Sequence, residues 1–426
     1  MAYWDTRKAS AANLRLFDPT KGWIAYDDVI DTDGKTTSYG CSREIDLALG
    51  SALNAGNLAL LSGAGTSFCA INTAGGGKAP GMSDLWAAAE ASVGKVEFDA
   101  VLDLIPKAKT IGKNIERLLS LSKIYVELFD DANGARVEKF ISKAETAIAK
   151  LVDFVDENTD LSAHAGVIRK IARRGIRKPR ARIFTTNYDL CFEYAARAQR
   201  FTVIDGFSHS MPQIYDRGHF GYDLVRRDGA KESPDYVENV FHLYKLHGSL
   251  DWRRQGADIL RSRDDAIGTP MLIYPRDSKY QQAFEAPFLD MMAALQSTLR
   301  EPDTALIVSG FGFNDDHIAK PIMAAVEANM TLRIVICDVT FIGDADLQKN
   351  EHAIPAATPL PGYASASFQK FKKLADIGDQ RITLINGRFD DLSLAVPDMV
   401  AQTERERHAE RVRILHAPAS APGGKP

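Results

Sequence analysis

The sequence predicts an α/β protein built on a parallel sheet, with helices on both faces and a helical insertion after the first core strand. Three observations carry this. Short apolar runs recur along the chain, each ending in a glycine-rich or polar cluster. Helical spacing lies between several of them, and such alternation argues a parallel sheet covered on both sides. One long block, from 85 to 180, keeps helical spacing throughout.

Residues 1–50 are mixed and polar, with a turn-rich stretch at Asp31-Thr32-Asp33-Gly34. The first core strand is read at Asn57-Leu58-Ala59-Leu60-Leu61, an apolar run that breaks into Ser62-Gly63-Ala64-Gly65. In the insertion, Ile115, Leu118, Leu119, Leu121, Ile124 and Leu128 recur at helical spacing. Val137, Phe140, Ile141, Ile148, Leu151 and Val152 repeat the pattern, and no strand signal interrupts the block. Strands return at 181–186, 240–246, 305–309, 332–337 and 382–385, with helices near Phe288–Leu299, His317–Ala328 and Phe368–Ala375. The expected organisation is an N-terminal segment 1–50, one domain over 51–395 and a C-terminal segment 396–426. Its end, 417–424, is low-complexity and expected to be disordered.

Hydrophobic residues at 45% and charged residues at 25% describe a globular protein with a real core. A net charge of -4 gives no global basic field toward nucleic acid. Cys41, Cys69, Cys191 and Cys337 form no CxxC pair, a spacing wrong for a zinc ribbon. No apolar run reaches the roughly 18 residues of a membrane span, and the N-terminus lacks a signal-peptide pattern. A cytoplasmic protein with reduced thiols, not membrane-bound, is expected.

In the loop from Ser62 to Ser67, Gly63 and Gly65 permit a sharp turn and close approach to a phosphate. Thr66 and Ser67 add hydroxyls. Phe68 stands where the dinucleotide fingerprint places its third glycine, and no acidic residue closes a second strand about 20 residues on. Alone, the loop reads equally as a strand-to-helix turn or a phosphate cradle. Three more polar clusters follow strand ends: Thr185-Thr186-Asn187-Tyr188-Asp189, Leu246-His247-Gly248-Ser249-Leu250-Asp251-Trp252 and Ser309-Gly310-Phe311-Gly312-Phe313-Asn314-Asp315. Strand ends are ordinarily polar, but four such loops converge on one crevice in a Rossmann-like sheet, where open α/β folds bind ligands.

In order, Gly63-Ala64-Gly65-Thr66-Ser67, Thr186-Asn187-Tyr188-Asp189, Leu246-His247-Gly248-Ser249 and Ser309-Gly310-Phe311 resemble the motifs of sirtuins. They are most similar to the sirtuin-like NADase domains of bacterial anti-phage defence systems. The resemblance implies that Gly63, Ala64, Gly65, Thr66 and Ser67 cradle a pyrophosphate. It implies that Asn187 and Asp189, with Thr186, face the nicotinamide ribose, and that His247 is the catalytic histidine beside Asn187. Ser309, Gly310, Phe311 and Asn314 would touch the adenosine side. Deacylating sirtuins carry a four-cysteine zinc module after the histidine loop, whereas this chain has no cysteine between Cys191 and Cys337. The resemblance therefore implies NAD as a substrate with no metal, cleaved to nicotinamide and ADP-ribose in abortive infection. It further implies a homo-oligomer and a separate partner such as a HerA-type hexameric ATPase, since no P-loop is present.

The residues suit that chemistry. Nicotinamide leaves NAD as a neutral amine and needs no general acid. A carboxamide such as Asn187 can hold a water or a ribose hydroxyl, and His247 can accept a proton. Asp189 serves equally as a helix N-cap before Leu190, and His247 as an inert strand-end histidine. Whether water or a ribose hydroxyl attacks stays open. A protein deacylase and a non-catalytic NAD or ADP-ribose sensor are the alternative functions. The basic run from Arg169 to Arg182 reads as a solvated helix end or a partner or nucleic-acid contact. His317 has no second histidine at ligand spacing, so metal binding is not expected there. Tyr222, Tyr236 and Trp252 are core or pocket aromatics.

Overall fold

The computed structural model describes residues 3–174, 178–227, 235–264, 266–272 and 286–398. The low-complexity tail read at 417–424 lies outside them. Ten strands form the main sheet. In chain order they are β1 (Arg15–Asp18), β2 (Gly22–Ala25), β3 (Asn57–Ser62), β4 (Arg182–Thr185) and β5 (Thr202–Ile204). Then come β6 (Val240–Lys245), β7 (Thr304–Ser309), β8 (Arg333–Asp338), β9 (Ala353–Ile354) and β10 (Ile382–Asn386). They lie side by side as β9-β2-β1-β10-β8-β7-β3-β4-β6-β5. Every neighbouring pair from β10 to β5 is parallel, while β9, β2 and β1 make an antiparallel edge.

Side-chain alternation along β3 shows why a continuous apolar run is needed. Leu58 and Leu60 face one layer, with Ile45 and Leu49 of α1 (Ser42–Asn54), Ile168 of α6 (Ser162–Ala172) and Phe192 of α7 (Cys191–Ala198). Ala59 and Leu61 face the other, with Met291 of α8 (Phe288–Arg300), Ile318 of α9 (Asp316–Ala328) and Phe368 of α10 (Ala366–Asp376). A strand buried on both faces has no polar side to show. The sheet is thus the mostly parallel, Rossmann-like one expected.

Between β3 and β4, the helices α2 (Met82–Val93), α3 (Lys95–Leu104), α4 (Ile115–Leu128) and α5 (Ala132–Val152) bury a core of their own around Trp86, Phe98, Leu119 and Phe140. Asn114 and Asp131 cap α4 and α5 by accepting from Arg117 N and Gly134 N. The block is not purely helical, because Thr159–Asp160 pairs with Ile71–Asn72 in a two-residue ribbon. The N-terminal β1–β2 hairpin is also a departure from the mixed, polar reading. Its strands are four residues long, and Arg15 is buried within it, donating to the carbonyls of Glu351 and His352.

Leaving β3, the chain builds β4, β5 and β6 on one side and then returns to build β7, β8 and β10 on the other. The reversal falls between β3 and β7, paired in register from Asn57↔Thr304 to Ser62↔Ser309. The C-terminal ends of these two strands form the topological switch point, where open sheets place ligands.

The basic run is largely consumed by the protein itself. Lys170 donates to Ser393 O, Arg174 to Gly56 O and Lys178 to Asn54 O. Arg169 pairs with Asp398, Arg180 with Asp223 and Arg182 with Glu301. Arg177 lies outside the described residues.

Candidate functional site

At the switch point two backbone loops cross in contact. Gly63 N–H donates to Ser309 O and Gly65 N–H to Gly310 O. A Cβ on Gly63 would sit 2.4 Å from Gly310 O, and one on Gly65 would sit 2.7 Å from Gly310 Cα. Gly310 itself has φ +62°, a left-handed conformation that favours glycine. The three glycines are therefore required first by this crossing. After it, Ala64–Thr66 makes a single 3₁₀ turn.

Asn187 ties this loop to the end of β4. Its Nδ2 lies 3.0 Å from Gly63 O, 2.8 Å from Ser67 Oγ and 3.3 Å from Thr66 Oγ1. Gly63 O only accepts, so the amino end must point there. Ser67 Oγ–H in turn donates to Asp189 Oδ2 at 2.7 Å. Asp189 Oδ1 accepts from Cys191 N, at the start of α7. Both oxygens of Asp189 are thus engaged in holding loops. What Asn187 leaves for a ligand is Oδ1, whose hydrogen bond here is a long one, 3.5 Å from Thr186 Oγ1.

His247 follows β6 as Asn187 follows β4. Thr185 and Lys245 are register partners, and each functional side chain comes two residues later. His247 is 2% exposed, and burial lowers its pKa to about 3. A hydrogen bond with the Thr186 backbone opposes that shift; it favours the protonated ring, so the carbonyl is the acceptor. The imidazole is neutral across physiological pH, the form a base requires. Its Nε2 stands 2.9 Å from Nε2 of His317.

Lys245, which sequence reasoning passed over, anchors the Asn187 loop. It is 2% exposed, and its ammonium donates to Asp189 O, lies 3.4 Å from Tyr188 O and 3.0 Å from Glu193 Oε1. Tyr188 in turn belongs to the core of the helical insertion, so the loop is gripped from two sides. Lys245→Met should cost about 3–5 kcal/mol, because it strands the Glu193 carboxylate and two carbonyls. Urea unfolding checks this; adding Glu193→Gln should recover part of the loss. A Lys245→Met protein as stable as wild type would refute the anchoring role.

The remaining expected residues are spread differently. Ser309 is fully buried, and its Oγ has no hydrogen-bond partner among the described residues. Phe311 is 4% exposed and packs 5.0 Å from Phe313 in the core, so this position offers a ligand its backbone, not its ring. Ala64, Phe68, Asn314 and His317 are exposed around the crossing. Trp252 is a core residue against Phe207. Asp338 closes β8 one residue beyond the Ser309↔Cys337 pair, where an acidic group in an open sheet can meet a ribose. The strand was read to end at Cys337, which hid it. Burial pushes the thiol of Cys69, near the loop, up to about 12, which favours its protonated form. Among the described residues no group of three or more histidine, cysteine or acidic side chains gathers to hold a metal. Nor is any described helix long and apolar enough to cross a membrane.

Residues 181–353 match the family model of the SIR2-like domain. The matched stretch contains Asn187, His247, Ser309 and His317 and begins after the glycine loop of β3. It supports a sirtuin-like domain, and with it an NAD-related function. No curated protein matches the chain.

Proposed function

We propose that this protein is an NAD glycohydrolase that splits the nicotinamide–ribose bond to give nicotinamide and ADP-ribose. The observation that carries this reading is the pairing of Asn187 and His247 at equivalent positions beyond two adjacent parallel strands, beside the crossing of the two glycine loops. The unpaired Ser309 hydroxyl and Asp338 add polar groups suited to a dinucleotide. The SIR2-like match over both residues supports the substrate.

In the mechanism, the bond electrons return to the nicotinamide nitrogen and cancel its charge, so no acid is required. Asn187 Oδ1 orients the attacking water or a ribose hydroxyl. The neutral imidazole of His247 takes the proton. The glycine loop, pinned through Asn187 and Ser67, keeps these groups in fixed geometry before substrate arrives.

The resemblance to defence domains extends the proposal to an anti-phage effector that depletes NAD, held in a cytoplasmic homo-oligomer or assembled by a partner such as a HerA-type ATPase. Incubating the protein with NAD, with and without an acetylated peptide and with that ATPase, tests the chemistry. Nicotinamide release without peptide is expected. Release only with peptide would make the protein a deacylase, and NAD binding without release under every condition would make it a sensor.

A further inference from the structure

Hydrolysis of NAD liberates a proton along with nicotinamide and ADP-ribose, and that proton must leave the site. His247 has poor means to release it alone. It is 2% exposed, one ring nitrogen is committed to the Thr186 carbonyl, and burial disfavours its cation. The other nitrogen faces His317 at 2.9 Å, with ring centroids 5.0 Å apart. His317 is exposed, in the first turn of α9. The pair joins a buried base to solvent through one contact.

We propose that His317 is a positioning residue that acts through His247, setting its tautomer before turnover and carrying its proton to water afterwards. The inference rests on the hydrolytic reading above. At rest His247 donates its other N–H to Thr186, so its Nε2 carries the lone pair and His317 Nε2–H must be the donor between them. This leaves His247 neutral and fixed in orientation. For turnover, exchange with solvent moves the His317 proton from Nε2 to Nδ1, which frees both facing lone pairs, and the O–H bond of water then breaks as its proton goes to His247 Nε2. The water oxygen forms the new bond to the ribose carbon, and the C–N pair stays on nicotinamide. His247 then gives that proton to the free Nε2 of His317, whose ring releases its Nδ1 proton to bulk water and is left with Nε2–H, the resting arrangement. Nothing is oxidised or reduced.

The test uses the full chain under conditions where wild type turns over. His317→Ala is expected to lower kcat about 100-fold, a typical cost of losing proton transfer, with the KM for NAD little changed. Added imidazole should restore turnover to His317→Ala. His317→Gln, which keeps a donor but cannot relay a proton, should remain slow. Wild-type kcat in His317→Ala would overturn the proposal, and so would full activity in His317→Gln or no response to imidazole. Imidazole nitrogen NMR reads the pair without turnover and so separates its failure from that of the hydrolytic reading. Replacing His317 should change the tautomer and titration of His247, and an unchanged His247 signal refutes the pair even if NAD is never cleaved.

Discussion

His247→Ala and Asn187→Ala are each expected to bring nicotinamide release down by about 10²–10⁴-fold, the range set by loss of a positioned base or its partner. The two losses have different physical origins. His247→Ala removes the imidazole that takes the proton, while Asp251 of the same loop stays engaged with Arg261. Asn187→Ala removes the Oδ1 acceptor and also frees Gly63 O, Thr66 and Ser67 from their shared donor. It should therefore loosen the glycine loop and lower the melting temperature more than His247→Ala does. Asn187→Asp sharpens the distinction, because it sets a carboxylate oxygen against Gly63 O and repels the loop while keeping size. Turnover, circular dichroism and thermal melts on the three proteins check the set. A folded His247→Ala or Asn187→Ala protein with wild-type turnover would remove these residues from the mechanism.

Much of the architecture was legible because its core strands are unbroken apolar runs. Within them, 58–61, 305–308 and 334–337 are wholly apolar and buried on both faces, a state that admits one kind of sequence. The hairpin of β1 and β2 was not legible, since its four-residue strands mix Arg15 and Asp18 with apolar neighbours at a sheet edge. In the site, the type of each loop was readable but its use was not. Gly63 and Gly65 were read as room for a phosphate, whereas the crossing with Gly310 already demands them. That demand involves residues about 250 positions apart, so no local pattern records it. The same holds for His317, which lacks a partner at ligand spacing in sequence yet meets His247 across 70 residues. Lys245 had a signal, a lysine closing a mostly apolar parallel strand, and such a charge must find acceptors when buried.

Mild acid should destabilise the protein, and three histidines, His164 and His247 buried and His242 partly so, set the window. Burial lowers His164 and His242 to about 4 and His247 to about 3, all below the unfolded value of 6.5. The unfolded chain therefore binds protons that the native state refuses. The stability these groups confer is complete above about pH 6.5 and drains as pH falls toward about 4. At pH 5 each costs about 2 kcal/mol, and the three together about 6 kcal/mol, against the roughly 5–15 kcal/mol that holds a domain folded. Carboxyls that burial pushes up, such as Glu193 and Asp338, act in the opposite sense. A single-site comparison isolates the histidine effect. His164 is fully buried between Phe192 and Phe389, with no hydrogen-bond partner at either ring nitrogen among the described residues. Its cation would have no hydrogen-bond acceptor there, and the charges of Asp189 and Asp160 only partly offset the cost of burial. Between about pH 7 and 5, wild type should lose about 2 kcal/mol more than His164→Leu in urea unfolding. Equal losses in the two proteins would show that His164 is protonated in the native state, and that the pocket between the two phenylalanines admits water.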